Sequence, residues 1–177
     1  MKRKLFILFT LISFFIVGKS YSQGGTCAAM DPFCAGDEAL IFPNCNSTDS
    51  NCDTTAENGP DYGCLGTQPY PAWFYLQVDQ TGTLEFDIIQ NTSFDVDGNP
   101  TGVGLDVDFI AWGPFAEGDD LCDFAQLQSF NEIDCSYSIF DIEEFTIPNG
   151  QPGEIYVLLI TNYSDDPGFI QLVQTNT

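Results

Sequence analysis

Acidic side chains carry most of the chemistry this chain could perform. Asp95, Asp97 and Asn99 fall at alternate positions, and Asp106 follows eleven residues after Asp95. Oxygens at alternate positions of a loop face one side and can surround a hard cation, as in calcium loops of D-x-D-x-N pattern. The sixth position is Pro100 where an EF-hand has Gly, and no helical pattern flanks the loop, so it is not an EF-hand. Asp106 and Asp108 form a second D-x-D at the entry to an apolar run. Glu117, Asp119, Asp120 and Asp123 place four acids within seven residues, suited to share an ion or to cap a helix. The expected cofactor is calcium, with Asp95, Asp97, Asn99, Asp106, Asp108, Asp119 and Asp120 as the candidate ligands.

Other reactive groups are scarce. The chain has no His; its four basic residues, Lys2, Arg3, Lys4 and Lys19, all precede residue 22, and all 26 Asp and Glu follow it. Ser and Thr hydroxyls therefore have no His or Lys to take a proton, which removes triads, Schiff bases and arginine clamps. Only carboxylate catalysis survives. Glu85, Asp87 and Gln90 are similar to the E-x-D-x-x-E strand of jelly-roll β-glucanases, which need two carboxylates across the glycosidic bond. Gln90 replaces the second Glu and cannot transfer a proton. The stretch reads instead as an amphipathic strand, a carboxylate-only glycoside hydrolase is the least favoured function, and the chain is expected not to be an enzyme.

The same imbalance selects partners. Phosphate recognition relies on Lys and Arg, so nucleic acid and anionic membrane surfaces are excluded. Like charges about 4 Å apart repel by ~1 kcal/mol in water and by more where water is scarce. Crowded carboxylates thus call for a bound cation. The expected partner is an extracellular protein or polysaccharide. Tyr70, Trp73, Phe74, Tyr75, Trp112, Phe115, Tyr137, Tyr156 and Tyr163 would stack on sugars if exposed, the alternative reading being a carbohydrate-binding module; core packing is their default role. Asn46, Asn91 and Asn162 head Asn-x-Ser/Thr glycosylation signals.

Export is written at the start of the chain. A basic opening, an apolar run over residues 5–17 and the small residues Ser20 and Ser22 form a secretory signal peptide over residues 1–22. The run is shorter than the ~20 residues of a membrane-spanning helix. Residues 23–177 are then an extracytoplasmic domain, secreted or at the cell surface. In that setting seven cysteines read as disulfides, since there is no CxxC and no His for a metal site. Proximity favours Cys45 with Cys52 and Cys122 with Cys135. One further bridge is expected among Cys27, Cys34 and Cys64, leaving one thiol to pair beyond Thr177, in a chain that ends on a strand-like run as a fragment would.

The elements that must position these residues are short strands. Residues 23–70 are polar, cysteine-rich and turn-rich. Strand patterns follow over 72–78, 83–90, 108–112, 144–147, 154–161 and 169–175, separated by Gly, Pro, Asn and Asp. Over 83–90, Leu84, Phe86 and Ile88 alternate with Glu85 and Asp87. The run over 154–161 is almost wholly apolar and predicts a central strand, and 119–130 predicts a short helix capped by Asp119 or Asp120. The fold class is all-β: an antiparallel, jelly-roll-like β-sandwich in one domain, with a disulfide-rich irregular region, 23–70, packed on the strands of 71–177.

Five runs occur in an order that resembles a known module: Asn58-Gly59-Pro60-Asp61-Tyr62-Gly63-Cys64-Leu65, Pro71-Ala72-Trp73-Phe74, the stretch from Asp106 to Phe115, Asp134-Cys135-Ser136-Tyr137-Ser138, and the stretch from Tyr156 to Ser164. They are similar to the N-terminal module of large secreted or cell-surface proteins of Bacteroidota, of the type exported by type IX secretion and often ending in a gliding-motility-associated domain. The resemblance implies a surface location and no established activity. A looser resemblance, to pre-peptidase C-terminal and CUB-like β-sandwiches, implies Asp106 and Asp108 as calcium ligands and a role in attachment.

Overall fold

A computed structural model describes residues 24–34 and 39–176, so the signal peptide expected over 1–22 lies outside the described residues. The chain forms β1 (Asp31–Pro32), β2 (Leu40–Pro43), β3 (Ala72–Gln77), β4 (Gly82–Asn91), β5 (Val107–Phe115), β6 (Glu132–Ser136), β7 (Ile142–Gly150), β8 (Ile155–Asn162) and β9 (Phe169–Gln174). They build two sheets, ordered β1-β3-β8-β5-β6 and β2-β9-β4-β7. All pairs are antiparallel except β1 with β3. This is the β-sandwich that the alternation implied.

The faces follow from side-chain periodicity. Phe86 and Ile88 of β4 meet Phe109 and Ala111 of β5 and Leu158 and Ile160 of β8 in the interior between the sheets. β8 lies in the middle of the five-stranded sheet and is buried along its whole length. A strand covered on both faces reads as a continuous apolar run. Its second cover comes from loops. Ile110, Trp112, Val157 and Leu159, on the outer face, pack against Cys27, Ala56, Leu65 and Leu127 in a separate core. Residues 23–70 are therefore less irregular than expected, since they also supply β1 and β2, one edge strand for each sheet.

Three further expectations are corrected. The helix over 119–130 does not form; the stretch is a series of turns. Its acids bind their own backbone: Asp119 accepts from the Ala116 N–H, Asp120 from Cys122 and Asp123 from Ala125. Such local bonds compete with the helical ladder. The strand beginning at 108 is not stopped by Gly113 and Pro114, because a bulge between Trp112 and Phe115 carries β5 onward. The cysteine pairing by proximity holds for Cys45–Cys52 alone. Cys122 bonds Cys27, Cys135 bonds Cys64, and Cys34 is free and exposed. The long-range bridges, 95 and 71 residues apart in sequence, fasten the covering loops to the outer face, a tertiary demand that spacing does not reveal.

Candidate cation site

The end of the sandwich where β4 and β8 finish and β5 begins is a meeting point of loops held by buried amides. Asn162, at the end of β8, donates to the carbonyls of Cys45 (2.8 Å) and Asp166 (3.2 Å). Its own Oδ1 accepts from Gln90 Nε2, at the end of β4, and from the Ser164 hydroxyl at 2.9 Å. Asn44 donates to Asp166 O and accepts from the Gly168 N–H, both at 2.9 Å. Asn91 accepts from the Gly102 and Ser93 N–H groups. Asn46, Asn91 and Asn162, the three glycosylation-signal residues, are all buried. Their amides serve as internal braces.

Against this rigid end stand Asp106 and Asp108. Asp108 lies on β5 directly opposite Thr161 of β8, on the outer face that also carries Ile110 and Trp112. It is 1% exposed, and neither of its carboxylate oxygens has a hydrogen-bond partner. Asp106 Oδ1 and Thr161 Oγ1 are likewise buried and unpartnered. Glu143, at the start of β7, is buried and accepts from the Ser138 hydroxyl. Burial pushes the Asp108 carboxyl up to about 7, and the charges of Asp106 and Glu143 add to the push. The Ser138 backbone opposes it weakly, without completing a bond to either oxygen. Burial and Glu143 raise Asp106 as well. Tyr137 and Tyr163 flank the pair, ring to ring at 5.4 Å. Their shared hydrogen bond raises the Tyr163 hydroxyl, and the Asp106 and Asp108 charges raise it further.

The other expected ligands are placed elsewhere. Asp95 turns back on its own loop: Oδ1 accepts from the Asp97 and Asn99 N–H groups at 3.0 and 2.9 Å, and the Asn99 amide donates to both of its oxygens. Those bonds, led by the Asn99 side chain, lower the Asp95 pKa. Asp95, Asn99 and Asp97 thus close a turn, and Asp119 and Asp120 cap turns in the β5–β6 connection. Among the described residues no three His, Cys, Asp or Glu side chains converge as a metal-binding group. Thr161 and Glu143 gave no signal in the sequence. Each becomes part of the site only through pairing across a sheet or between sheets. Trp73 and Trp112 are fully buried and stacked at 5.9 Å with 13° between planes, so their faces are not available to a sugar.

No family model matches the chain, and no curated protein matches it. Among solved structures it is similar to the pre-peptidase C-terminal domain of a collagenase from Bacillus anthracis. The identity is 9% and the TM-score 0.39, over 82% of this chain and 96% of that one. The described residues hold three disulfides, which persist in oxidising compartments. No described helix is long and apolar enough to cross a membrane.

Proposed function

We propose that this protein is a non-catalytic binding module, exported and displayed outside the cytoplasm, whose loop-bearing end is neutralised and stiffened by calcium at Asp106 and Asp108. The observation that carries the reading is the Asp108 carboxylate, buried with both oxygens unpartnered beside a second under-satisfied carboxylate. A buried charge needs a partner, and residues 23–177 contain no basic side chain. Calcium accepts carboxylate, hydroxyl, carbonyl and water oxygens in tolerant geometry. Two carboxylates, the Thr161 hydroxyl, main-chain carbonyls and water are a reasonable set for it. Magnesium, which demands near-octahedral ligands at shorter range, fits less well.

Thermal melts in millimolar calcium and in EDTA test the proposal. A ligand at one hundred times its Kd stabilises by about 2.7 kcal/mol, which for a domain of this size raises Tm by roughly 5–10 °C. Equal melting temperatures in both buffers would remove calcium from the reading.

A further inference from the structure

Nine large apolar side chains are exposed among the described residues, and six of them, Val103, Tyr137, Ile139, Phe140, Ile142 and Tyr163, gather at the end of the sandwich described above. The segment from 137 to 142 contributes four. Tyr163 touches Tyr137 through its ring. Val103 precedes Gly104, whose backbone lies against the Asp141 carboxylate. Ile139 is 85% exposed and Phe140 63%. A concentration of this kind on a folded surface marks an interaction site.

The patch is held in shape by the main chain. The Val107 N–H donates to Phe140 O, Gln90 to Asp141 O at 2.9 Å, and Thr92 to Val103 O at 3.0 Å. A surface already rigid loses little freedom on binding. Its surroundings specify the occupant. Ile142 and Glu144 project from the same face of β7, and Glu144 stands directly opposite Asp87 of β4. Asp141 lies within the patch, and Asp106, whose charge acts on the Tyr163 hydroxyl, borders it. Carboxylates therefore flank the apolar tips with no counter-charge, and burial and Glu144 raise the Asp87 pKa. A second copy would bring the same charge to the contact, and two strongly acidic molecules repel.

We infer that this patch docks a basic protein segment, one that offers apolar side chains to Ile139, Phe140 and Val103 and Lys or Arg to the surrounding acids. The inference deepens the binding-module reading by naming the chemistry of the partner; the apolar tips with Asp87, Asp141 and Glu144 carry it, so it stands whether or not a cation occupies Asp106. Burial of the apolar tips supplies affinity, and the acidic surround supplies orientation and rate.

The test is an NMR titration of the protein with two synthetic peptides of equal length, one alternating Arg and Leu, the other Glu and Leu, in calcium and again in EDTA. The Arg–Leu peptide is expected to shift the amides of Val103, residues 139–142 and Tyr163, with affinity falling as salt is added. The double substitution Ile139→Ser/Phe140→Ser should weaken binding by about tenfold, in keeping with loss of an apolar anchor. Phe130→Ser, an exposed apolar residue outside the patch, should not. Shifts spread over the acidic surface, equal losses in the two variants, or no shift at all would overturn the inference. So would concentration-dependent shifts at the patch without peptide, which assign it to a second copy. Patch binding that survives in EDTA, in a protein whose melting is indifferent to calcium, would sink the cation reading and leave this one standing.

Discussion

Asp108→Asn separates the charge of this side chain from its shape. The wild-type carboxyl titrates near 7 instead of 3.8, because burial and two neighbouring acids disfavour its ionised form. Each unit corresponds to about 1.4 kcal/mol, so an unrelieved charge would destabilise the fold by about 4 kcal/mol. Water and counter-ions reaching the partly exposed Asp106 side screen roughly half of that, leaving ~2 kcal/mol. The folded-state pKa is the higher one, so the proton adds stability that is fully present below the unfolded value and is lost as pH rises towards 7. Asparagine carries no charge at any of these pH values. In EDTA at pH 8 the variant should therefore melt about 4–8 °C above wild type, and the gap should narrow steadily below pH 7 and close only as pH falls through the unfolded value of 3.8. Acids remote from Asp108 titrate alike in both proteins and cancel in the difference, while Asp106 and Glu143, which repel it, are relieved by the same substitution. Calcium should reverse the order at pH 8, stabilising wild type and leaving the variant unmoved. A variant no more stable than wild type in EDTA at pH 8 would refute the claim that Asp108 is an uncompensated buried charge.

Three more outcomes are expected. In the chain-entropy description, the Cys27–Cys122 bridge, 95 residues apart, stabilises by about 4.7 kcal/mol and Cys45–Cys52, 7 apart, by about 2.5; urea unfolding of the two double-Ala variants should show the larger loss for the first pair. Ellman's reagent should modify a single thiol in the native protein, Cys34, and Cys34→Ala should abolish the reaction. Asn162→Ala, which removes an acceptor of the Gln90 amide and a donor to the Cys45 carbonyl, should lower stability by about 1–3 kcal/mol in denaturant melts.

Strands whose neighbours lie on one side only, or on both, are legible from residue pattern. β4 alternates and β8 does not, and their places in the two sheets follow from that. The acids at 119–123 pattern equally well as helix caps or as turn formers, and in the fold they accept from the Ala116, Cys122 and Ala125 N–H groups of their own turns while Cys122 bonds Cys27, 95 residues away. Distance in sequence hides the disulfide map for the same reason. The candidate site divides likewise. Asp106 and Asp108 are visible as a D-x-D at a strand entry, but their burial depends on Thr161 and on the loop through Ser138 to Glu143, which the sheets bring together. The D-x-D-x-N loop looked as strong in sequence, and there the Asn99 amide satisfies Asp95 locally.

A chain with 26 acidic side chains and no base after residue 22 can fold only if the charges stay apart or in water. Nearly everywhere it does so: acids sit on turns, on the wet face of β4 and on the β5–β6 connection. Among the described residues Asp108 and Glu143 alone are buried acids. Both lie at the same end of the sandwich, and the half-buried Asp106 is close enough for its charge to act on Asp108. Two exceptions scattered over the molecule would each be a local accident of packing. Two exceptions at one place, on strands from different sheets, mean that the fold concentrates negative charge where it could most easily have avoided it. Replacing Asp108 by a neutral side chain would relieve the repulsion within the strand pattern of β5. The two buried acids at one end are the ground for proposing a positive ligand from outside the chain, and the exposed apolar tips at that same end are the ground for proposing that a partner docks there.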